Sequence, residues 1–497
     1  MGLASVAVYS DCDRASRHVR MADEAVAIGP SPPSESYLRI DRVIDAARAA
    51  GADAVHPGYG FLAENEAFAT ACRDEGLTFI GPSPEAIRLM GAKTAARRTA
   101  IGAGVPVVPG TEEPIEPHVA DEDVVTIARQ VGYPLIVKAV AGGGGKGMRV
   151  AQRVGDLAGA VRAARSEAQS AFGDAAVYLE RRLERPRHIE VQILADHHGT
   201  LLPFVERECS IQRRHQKVIE ESPSPVVSPD LRRAMTTAAA AVARSVGYTN
   251  AGTIEFLVDE DGRFYFLEMN TRLQVEHPVT EIVSSVDLVR WQIAIARGDR
   301  LDVKPDGLLR PRGHAIECRI YAEDPNAGFL PSPGRITALQ VPHGPGIRND
   351  SGTELGADIP IFYDALISKL VAWGADRGQA ISRMARALRE YEVVGVSTTI
   401  PFLHWMLRQR AFVAADFHTG YLDELLHERR NEPFSDPDPS LEEVGVMAAA
   451  LHAAGGFGSV HGRSGLHGPV ERRGPRVGDR GAEAGWRARA RLEGLRD

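Results

Sequence analysis

Positive charge is in short supply in this chain of 497 residues: 58 lysines and arginines stand against 66 acids, a formal net charge of −8. That deficit argues against a protein whose whole surface engages nucleic acid, although a local basic cluster remains compatible with it. Cysteine is scarcer still. Cys12, Cys72, Cys209 and Cys318 lie far apart without any C-x-x-C spacing, which excludes a disulfide framework and a zinc-finger arrangement and fits a reducing cytoplasm. No window approaches the roughly 18 uninterrupted apolar residues of a membrane span, and no cationic start leads into a long apolar run, so neither insertion nor secretion is expected. Myristoylation is excluded because Val6 stands where Ser or Thr is required. Aromatics make up only 6% of the chain, yet 44% is hydrophobic, ample core for about three or four domains.

The most informative segment runs Tyr133-Pro-Leu-Ile-Val-Lys138-Ala-Val-Ala-Gly142-Gly143-Gly144-Gly145-Lys146-Gly147-Met148-Arg149-Val150. An apolar strand delivers a lysine and enters four consecutive glycines. Glycines let backbone N–H groups approach oxyanions, and Lys138 and Lys146 add compact positive charge. The P-loop pattern fails, since Val140 and Gly147 occupy the places of its first Gly and its Ser or Thr. Gly142, Gly144 and Gly147 satisfy G-x-G-x-x-G formally, but that motif opens a helix and needs an acid about 20 residues on. Here Met148-Arg-Val-Ala reads as a returning strand and Arg162 sits near the acid's place. A hairpin lid over phosphate is the better reading; the alternative is a mobile surface loop without a ligand.

From Ser5 to about Ile80, short β-type runs (Ser5–Tyr9, Ala54–His56, Phe79–Ile80) alternate with helical stretches such as Ile40–Ala50, predicting a parallel sheet. The loop from His56 through Tyr59 to Asn65 follows a strand end, where open α/β sheets place ligands; a plain Gly-Pro turn is the alternative. A lid over about 110–182 follows the Pro/Gly-rich Val105–Gly110, then comes a strand-rich region to about Arg300. A further unit runs from about Arg312, after the Lys304–Gly307 breaker, to Leu426. Asn431–Ser440 reads as a linker, Leu441–Ala454 as a helix, and Gly455–Gly485 as Gly- and Arg-rich low-complexity chain expected to be poorly ordered.

The polar chemistry concentrates in two strand patterns, Thr253–Asp259 and Phe264–Asn270, separated by Glu260-Asp-Gly-Arg263. Regular register places Glu255 directly opposite Glu268. Facing carboxylates destabilise a ladder unless a cation lies between them, and the oxygen-only set Glu255, Glu268 and Asn270 suits magnesium. The alternative is that both acids are solvated. The same period carries on through Asn270, Arg272, Gln274 and Glu276, a face of amide, guanidinium, amide and carboxylate. Arg272 is suited to a planar oxyanion, and Glu276 to a general base whose pKa Arg272 sets. In Arg187-His188-Ile-Glu190-Val-Gln192, His188 either meets a phosphate or is a satisfied strand histidine. Ser210–Lys217 packs four basic residues with amides; without interleaved aromatics it does not read as a nucleic-acid site.

Taken together these segments resemble the ATP-grasp enzymes, and among them the biotin carboxylases. The resemblance runs from about Ala4 to Leu426 and is carried by Val6-Ala-Val-Tyr-Ser-Asp11, His56-Pro-Gly-Tyr-Gly-Phe-Leu62, Gly142–Met148, Arg213-Arg-His-Gln-Lys217, Glu268-Met-Asn-Thr-Arg272, Gln274-Val-Glu-His-Pro278 and Glu317-Cys-Arg-Ile320. It implies an α/β and α+β fold. Residues 1–91 would form an N-terminal pre-ATP-grasp domain, 92–300 the ATP-grasp domain with its lid at about 110–182, 312–426 a C-terminal biotin carboxylase domain, and 427–497 a linker and tail. It also implies that bicarbonate is phosphorylated by ATP to carboxyphosphate, which supplies CO2 to N1 of biotin. ATP would contact Lys93, Lys138, Gly143, Gly144, Gly145, Met148, His188, Gln212 and His215, with Glu180 and Leu183 at the adenine hinge. Mg2+ or Mn2+ would lie on Glu255 and Glu268, assisted by Asn270. Lys217, Arg272, Gln274, Val275 and Glu276 would form the bicarbonate site with Glu276 as base, Arg319 would stabilise the biotin enolate, and Tyr59 would line the biotin end.

The family opens with a strand and an Asn-Arg-Gly-Glu-Ile-Ala loop, whereas this chain opens at what resembles the second strand, so roughly one βα unit is expected to be absent. Part of the family's homodimer contact would go with it. No Met-Lys-Met biotinylation site occurs, so biotin is expected as a carrier-bound substrate on a biotin carboxyl carrier protein in trans, with a separate carboxyltransferase subunit. The acceptor expected is acetyl-CoA or propionyl-CoA, with pyruvate carboxylase-type use the nearest rival, disfavoured because the domains of that type are usually fused to this one. The competing readings are another ATP-grasp carboxylate ligase, which need not keep Lys217 and Arg319 together, and a noncatalytic nucleotide-binding subunit.

Overall fold

The computed structural model describes residues 1–140, 148–429, 432–434 and 439–453. Gly143, Gly144 and Gly145, with all of the tail beyond Ala453, lie outside the described residues. The chain separates into a unit spanning Met1–Ser435 and one spanning Asp436–Asp497.

The N-terminal segment forms two short parallel strand pairs, Val6–Ser10 with Glu24–Gly29 and Ala54–Val55 with Thr78–Phe79. Parallel pairing was expected; the strand Glu24–Gly29 was not, because its Glu-Ala-Val-Ala-Ile-Gly run carries no clean period of two. Helix Ile40–Ala49 buries Val43, Ile44, Ala46 and Ala47 beneath them. Asn65 then caps helix Glu66–Asp74, its side chain accepting from Phe68 N at 2.8 Å.

The lid is a three-stranded antiparallel sheet, with Leu135–Ala139 between Arg149–Ala151 and Val177–Arg181. Val137 lies opposite Arg149, so the glycine run does connect the two arms of a hairpin. Helices Asp121–Val131 and Val154–Phe172 complete a separate small core of Leu135, Val137, Leu157, Val161, Val177 and Leu179.

A nine-stranded antiparallel sheet runs through the rest of the unit. Its order is Phe264–Asn270, Asn250–Val258, Arg187–Ala195, Arg207–Arg213, Gln216–Ser222, His314–Tyr321, Leu366–Gly374 and Ile347–Ser351, with Leu201–Pro203 beside Arg187–Ala195. Alternation divides its faces. Ile189, Val191, Ile254 and Phe256 pack with Met235, Ala239 and Val242 of helix Pro229–Ser245, and Ile316, Cys318, Ile320 and Leu370 pack with Met384 and Leu388 of helix Arg377–Glu390. The opposite face carries charge, and it is buried as well.

The helix Pro439–Ala453 begins two residues before the expected Leu441 and takes Pro439 and Ser440 from the expected linker. Proline at a first helical residue sacrifices no hydrogen bond.

Candidate active site

Three adjacent strands set three carboxylates in one row, Glu190 opposite Glu255 and Glu255 opposite Glu268. Such a row stands only if cations enter it. Lys217 supplies the first: its Nζ donates to Glu190 at 2.6 Å, Glu255 at 2.8 Å and Glu276 at 2.7 Å. Arg207, wholly buried, supplies the second, meeting Glu190 and donating to Gln192 at 3.0 Å, Thr280 at 2.9 Å and Thr253 at 3.1 Å. His188 Nε2 lies 2.8 Å from the other oxygen of Glu255, while its Nδ1 is 2.9 Å from Gln212 Nε2.

Lys217 and Glu220 are three residues apart and would point to opposite faces of a regular strand. Both nevertheless serve the charged face, because the pairing with Arg207–Arg213 shifts register between Ile211 and Gln212 and turns Lys217 inward. At the tip of that hairpin Arg214 and His215 both take positive φ, +49° and +67°, as a two-residue turn of this hand requires. Burial depresses the pKa of His215, which favours the neutral ring.

Arg319 closes the site from the next strand, donating through Nε to Glu220 at 2.6 Å and through Nη2 to Glu276 at 2.8 Å. Burial alone would raise the pKa of Glu276, but the cations of Lys217, Arg319 and Arg207 overwhelm it and hold this carboxyl far below its ordinary range. Glu255 is likewise lowered against burial, by Lys217 and His188. Glu268 moves the other way, raised by burial and by facing Glu255, with Lys93 the nearest compensation.

The expected strand face through Asn270, Arg272, Gln274 and Glu276 is corrected in two respects. The strand ends at Asn270, and Glu276 is the cap of helix His277–Ser284. The Asn270–Gln274 part does converge: Arg272 donates to Asn270 Oδ1 at 3.2 Å and Gln274 Oε1 at 3.0 Å, and both amides donate to Glu255, at 2.9 and 3.2 Å. Arg272 does not govern Glu276, however. Its Nε pairs with Glu64 at 2.8 Å, because the chain turns at the end of the strand and carries Glu276 toward Lys217 and Arg319. The carbonyl of Val275 accepts from Lys369 at 3.1 Å, and that ammonium lies 5.7 Å from the Tyr59 ring centroid.

At the lid, Lys138 meets Glu180 directly and Arg97 donates to Glu180 at 3.1 Å, so both side chains expected on ATP are engaged with each other. Lys93 begins helix Lys93–Gly102, where burial lowers its pKa and Glu268 partly restores it. Leu183 lies half-buried three residues beyond Glu180, and Met148 half-buried just before the returning strand. Sequence reasoning missed Glu190, Arg207, Glu220 and Glu64 as members of this network. Glu190 had a signal, since it shares a strand face with His188 two residues away; Arg207 and Glu64 join through tertiary contacts that no local period reveals.

A lid over a charged, buried sheet face, with an oxygen-donor pair in register at its edge, defines an ATP-grasp ligase. Residues 92–304 match the carbamoyl-phosphate synthase L chain ATP-binding domain, flanked by matches to the biotin carboxylase N-terminal domain at 1–87 and C-terminal domain at 317–424. The chain belongs to the biotin carboxylase family. It is 51% identical to a biotin carboxylase of Nostoc sp. over 86% of this chain and 94% of that protein, and 48% identical to biotin carboxylase 1 of Bacillus subtilis over 85% of this chain and 93% of that protein. Among solved structures, a biotin carboxylase from Campylobacter jejuni in complex with β,γ-ATP superposes with a TM-score of 0.82 at 44% identity, covering 85% of this chain and 94% of that one. The biotin carboxylase domain dimer of Hydrogenobacter thermophilus 2-oxoglutarate carboxylase, in complex with MgADP, ADP and bicarbonate, gives 0.82 at 44% identity over 87% and 94%. No helix among the described residues is long and apolar enough to cross a membrane.

Proposed function

We propose that this chain uses ATP and bicarbonate to carboxylate biotin held on a carrier protein, the first half-reaction of an acyl-CoA carboxylase. The observation that carries the reading is the Lys217 ammonium shared by Glu190, Glu255 and Glu276 while Arg319 ties Glu276 to Glu220. This arrangement couples a candidate base to the cations that would receive its anionic substrate. The acceptor is the finer part of the proposal, since similar chains include those named for pyruvate, methylcrotonoyl-CoA and propionyl-CoA carboxylases.

Bicarbonate would enter between Lys217, Arg272 and Arg319, with Gln274 and the Val275 backbone orienting it. Pinned by its cations, the ligand-free Glu276 carboxylate is a weak base. Once Lys217 and Arg319 turn part of their charge to the substrate, its basicity rises and it accepts the bicarbonate proton as the freed oxygen attacks the γ-phosphorus. Carboxyphosphate and ADP result; carboxyphosphate then splits into CO2 and phosphate, the phosphate takes the N1 proton of biotin, and N1 attacks the CO2 while Arg319 stabilises the enolate charge on the ureido oxygen. Lys93, Lys138, His188, Gln212 and His215 would hold ATP, which requires Lys138 to leave Glu180 as nucleotide arrives, with Glu180 and Leu183 then at the adenine and Met148 closing the loop. Tyr59 would flank biotin.

Glu255, Glu268 and Asn270 form a donor set of hard oxygens, and Glu268 is a half-buried carboxyl whose pKa stays raised beside Glu255, so the site fits a divalent cation such as Mg2+ or Mn2+. Bound there, the ion would neutralise phosphate charge. Bicarbonate-dependent ADP release by the purified chain with magnesium, with and without free biotin, tests the reading: stimulation by biotin supports it, and a folded protein without bicarbonate-dependent turnover refutes it.

A further inference from the structure

Another pair of carboxyls faces across the sheet, and the chemistry above leaves half of it unused. Glu220 lies directly opposite Glu317 on the strands Gln216–Ser222 and His314–Tyr321, and both are wholly buried. Glu220 spends Oε1 on Arg319 Nε at 2.6 Å. Its Oε2 and both oxygens of Glu317 have no hydrogen-bond partner among the described residues. Side chains directly opposite in an antiparallel pair have Cβ atoms about 5 Å apart, within reach of one shared hydrogen bond.

The surroundings of Glu317 decide its charge. From its own strand come Arg319, committed to Glu220 and Glu276, and the thiol of Cys318. From Leu366–Gly374 comes Lys369, whose ammonium lies 3.1 Å from the Val275 carbonyl and 3.7 Å from Asp350. Helix His277–Ser284 contributes His277, kept neutral by burial, and Glu281, which accepts from Arg348 at 2.7 Å; Glu276 precedes the helix and Tyr59 looks on from its loop. No cation in this set pairs with Glu317 directly, and an ionised carboxylate left so would be an uncompensated buried charge. Burial first, then the facing Glu220, push its pKa far above the ordinary value, which agrees with the geometry.

We propose that Glu317 is kept as a neutral carboxylic acid that donates its proton to Oε2 of Glu220, and that this pair is a positioning device for Arg319. Glu220 held from behind presents a fixed acceptor to Arg319 Nε, which fixes the guanidinium plane and aims its remaining donors at Glu276 and the reacting groups. The proton stays on Glu317 throughout; no group is transferred. A second negative charge at Glu317 would draw Arg319 back toward the pair and away from the substrate.

The role given to Arg319 rests on the proposed biotin carboxylation, so the test has an arm that does not need turnover. Infrared spectra of the ligand-free protein, taken well above pH 7 so that Glu220 is ionised, should contain a protonated carboxyl C=O band that Glu317→Gln abolishes; an unchanged spectrum overturns the proposal whatever the enzyme does. In the kinetic arm, Glu317→Leu should lower kcat for free-biotin carboxylation about tenfold, the loss expected of one buried hydrogen bond, with KM for ATP unmoved. Glu317→Gln, which restores a donor that cannot ionise, should recover most of that loss and remove an alkaline limb present in the parent profile. Equal losses in both variants with an unaltered pH profile would show a merely structural residue and overturn the inference. A parent chain without turnover would refute the proposed function alone, leaving the infrared result to decide this one.

Discussion

Glu276 Oε1 lies 2.7 Å from Lys217 Nζ while its other oxygen accepts from Arg319 at 2.8 Å, so the candidate base carries a cation on each oxygen. Replacing it with glutamine keeps the shape and leaves Lys217 still paired to Glu190 and Glu255. We expect Glu276→Gln to fold, to bind ATP with unchanged affinity, and to lose kcat by about two to four orders of magnitude, the range for removing a general base. Steady-state ADP release with nucleotide binding measured by calorimetry checks it; parental kcat would remove Glu276 from the mechanism.

Glu268 faces Glu255, and burial and that facing charge outweigh Lys93, His188 and Lys217, which act to lower its pKa. Glu268→Gln removes a metal oxygen and the repulsion together. The expected outcome is a ligand-free protein at least as stable as the parent that needs several-fold more Mg2+ for half-maximal activity. Magnesium titration of activity, with melting curves taken in parallel, separates the two effects; an unmoved magnesium requirement would take Glu268 out of the metal site.

The pH dependence of stability follows from Glu220, whose pKa burial raises from 4.5 to about 7 even though Arg319 pulls it down. A carboxyl raised on folding stabilises fully below its unfolded pKa, and that contribution is lost as pH rises through the folded one. Between about pH 4.5 and pH 7 the parent should therefore lose stability relative to Glu220→Gln. The variant offers Arg319 a neutral amide oxygen in place of a carboxylate and should start less stable, so the slope of the difference is the diagnostic. Denaturant melts across that window measure it; a flat difference would contradict the raised pKa.

How much of this was legible without coordinates depends on how local each signal is. The facing of Glu255 and Glu268 follows from a short loop and a period of two, and the hairpin behind the glycines follows from a lysine-bearing strand and its return. Glu276 joins the charged network beside Lys217 and Arg319 rather than beside Arg272, the neighbour its sequence spacing implied. Extrapolating the strand period past Asn270 ignored that Pro278 favours the first turn of a helix, where the chain departs from the sheet. Lys217 and Glu220 share a face only through a bulge, and a bulge leaves no mark in an alternating sequence. Arg207 is flanked by Glu206 and Glu208 and reads locally as part of a solvated charge run, yet all three are buried.

That arginine gives the sharpest test of the network itself. Arg207 is wholly enclosed and joins Glu190 to Gln192, Thr253 and Thr280, tying three strands to the helix that follows Glu276. Arg207→Leu would leave Glu190 with Lys217 as its one cation partner among the described residues and deprive three polar oxygens of a donor. Breaking a buried pair by removing one partner costs about 3–5 kcal/mol, far more than an exposed pair contributes. As a control, Arg263→Leu removes an exposed arginine paired with Asp259 and Asp261 and should fall within about 1 kcal/mol of the parent. With its charge less compensated, Glu190 should also compete harder for Lys217 and weaken bicarbonate binding, raising KM for bicarbonate while KM for ATP moves less. Chemical denaturation of both variants, followed by bicarbonate titration of whichever folds, checks the pair; equal stability losses would show that burial of Arg207 has no special energetic weight.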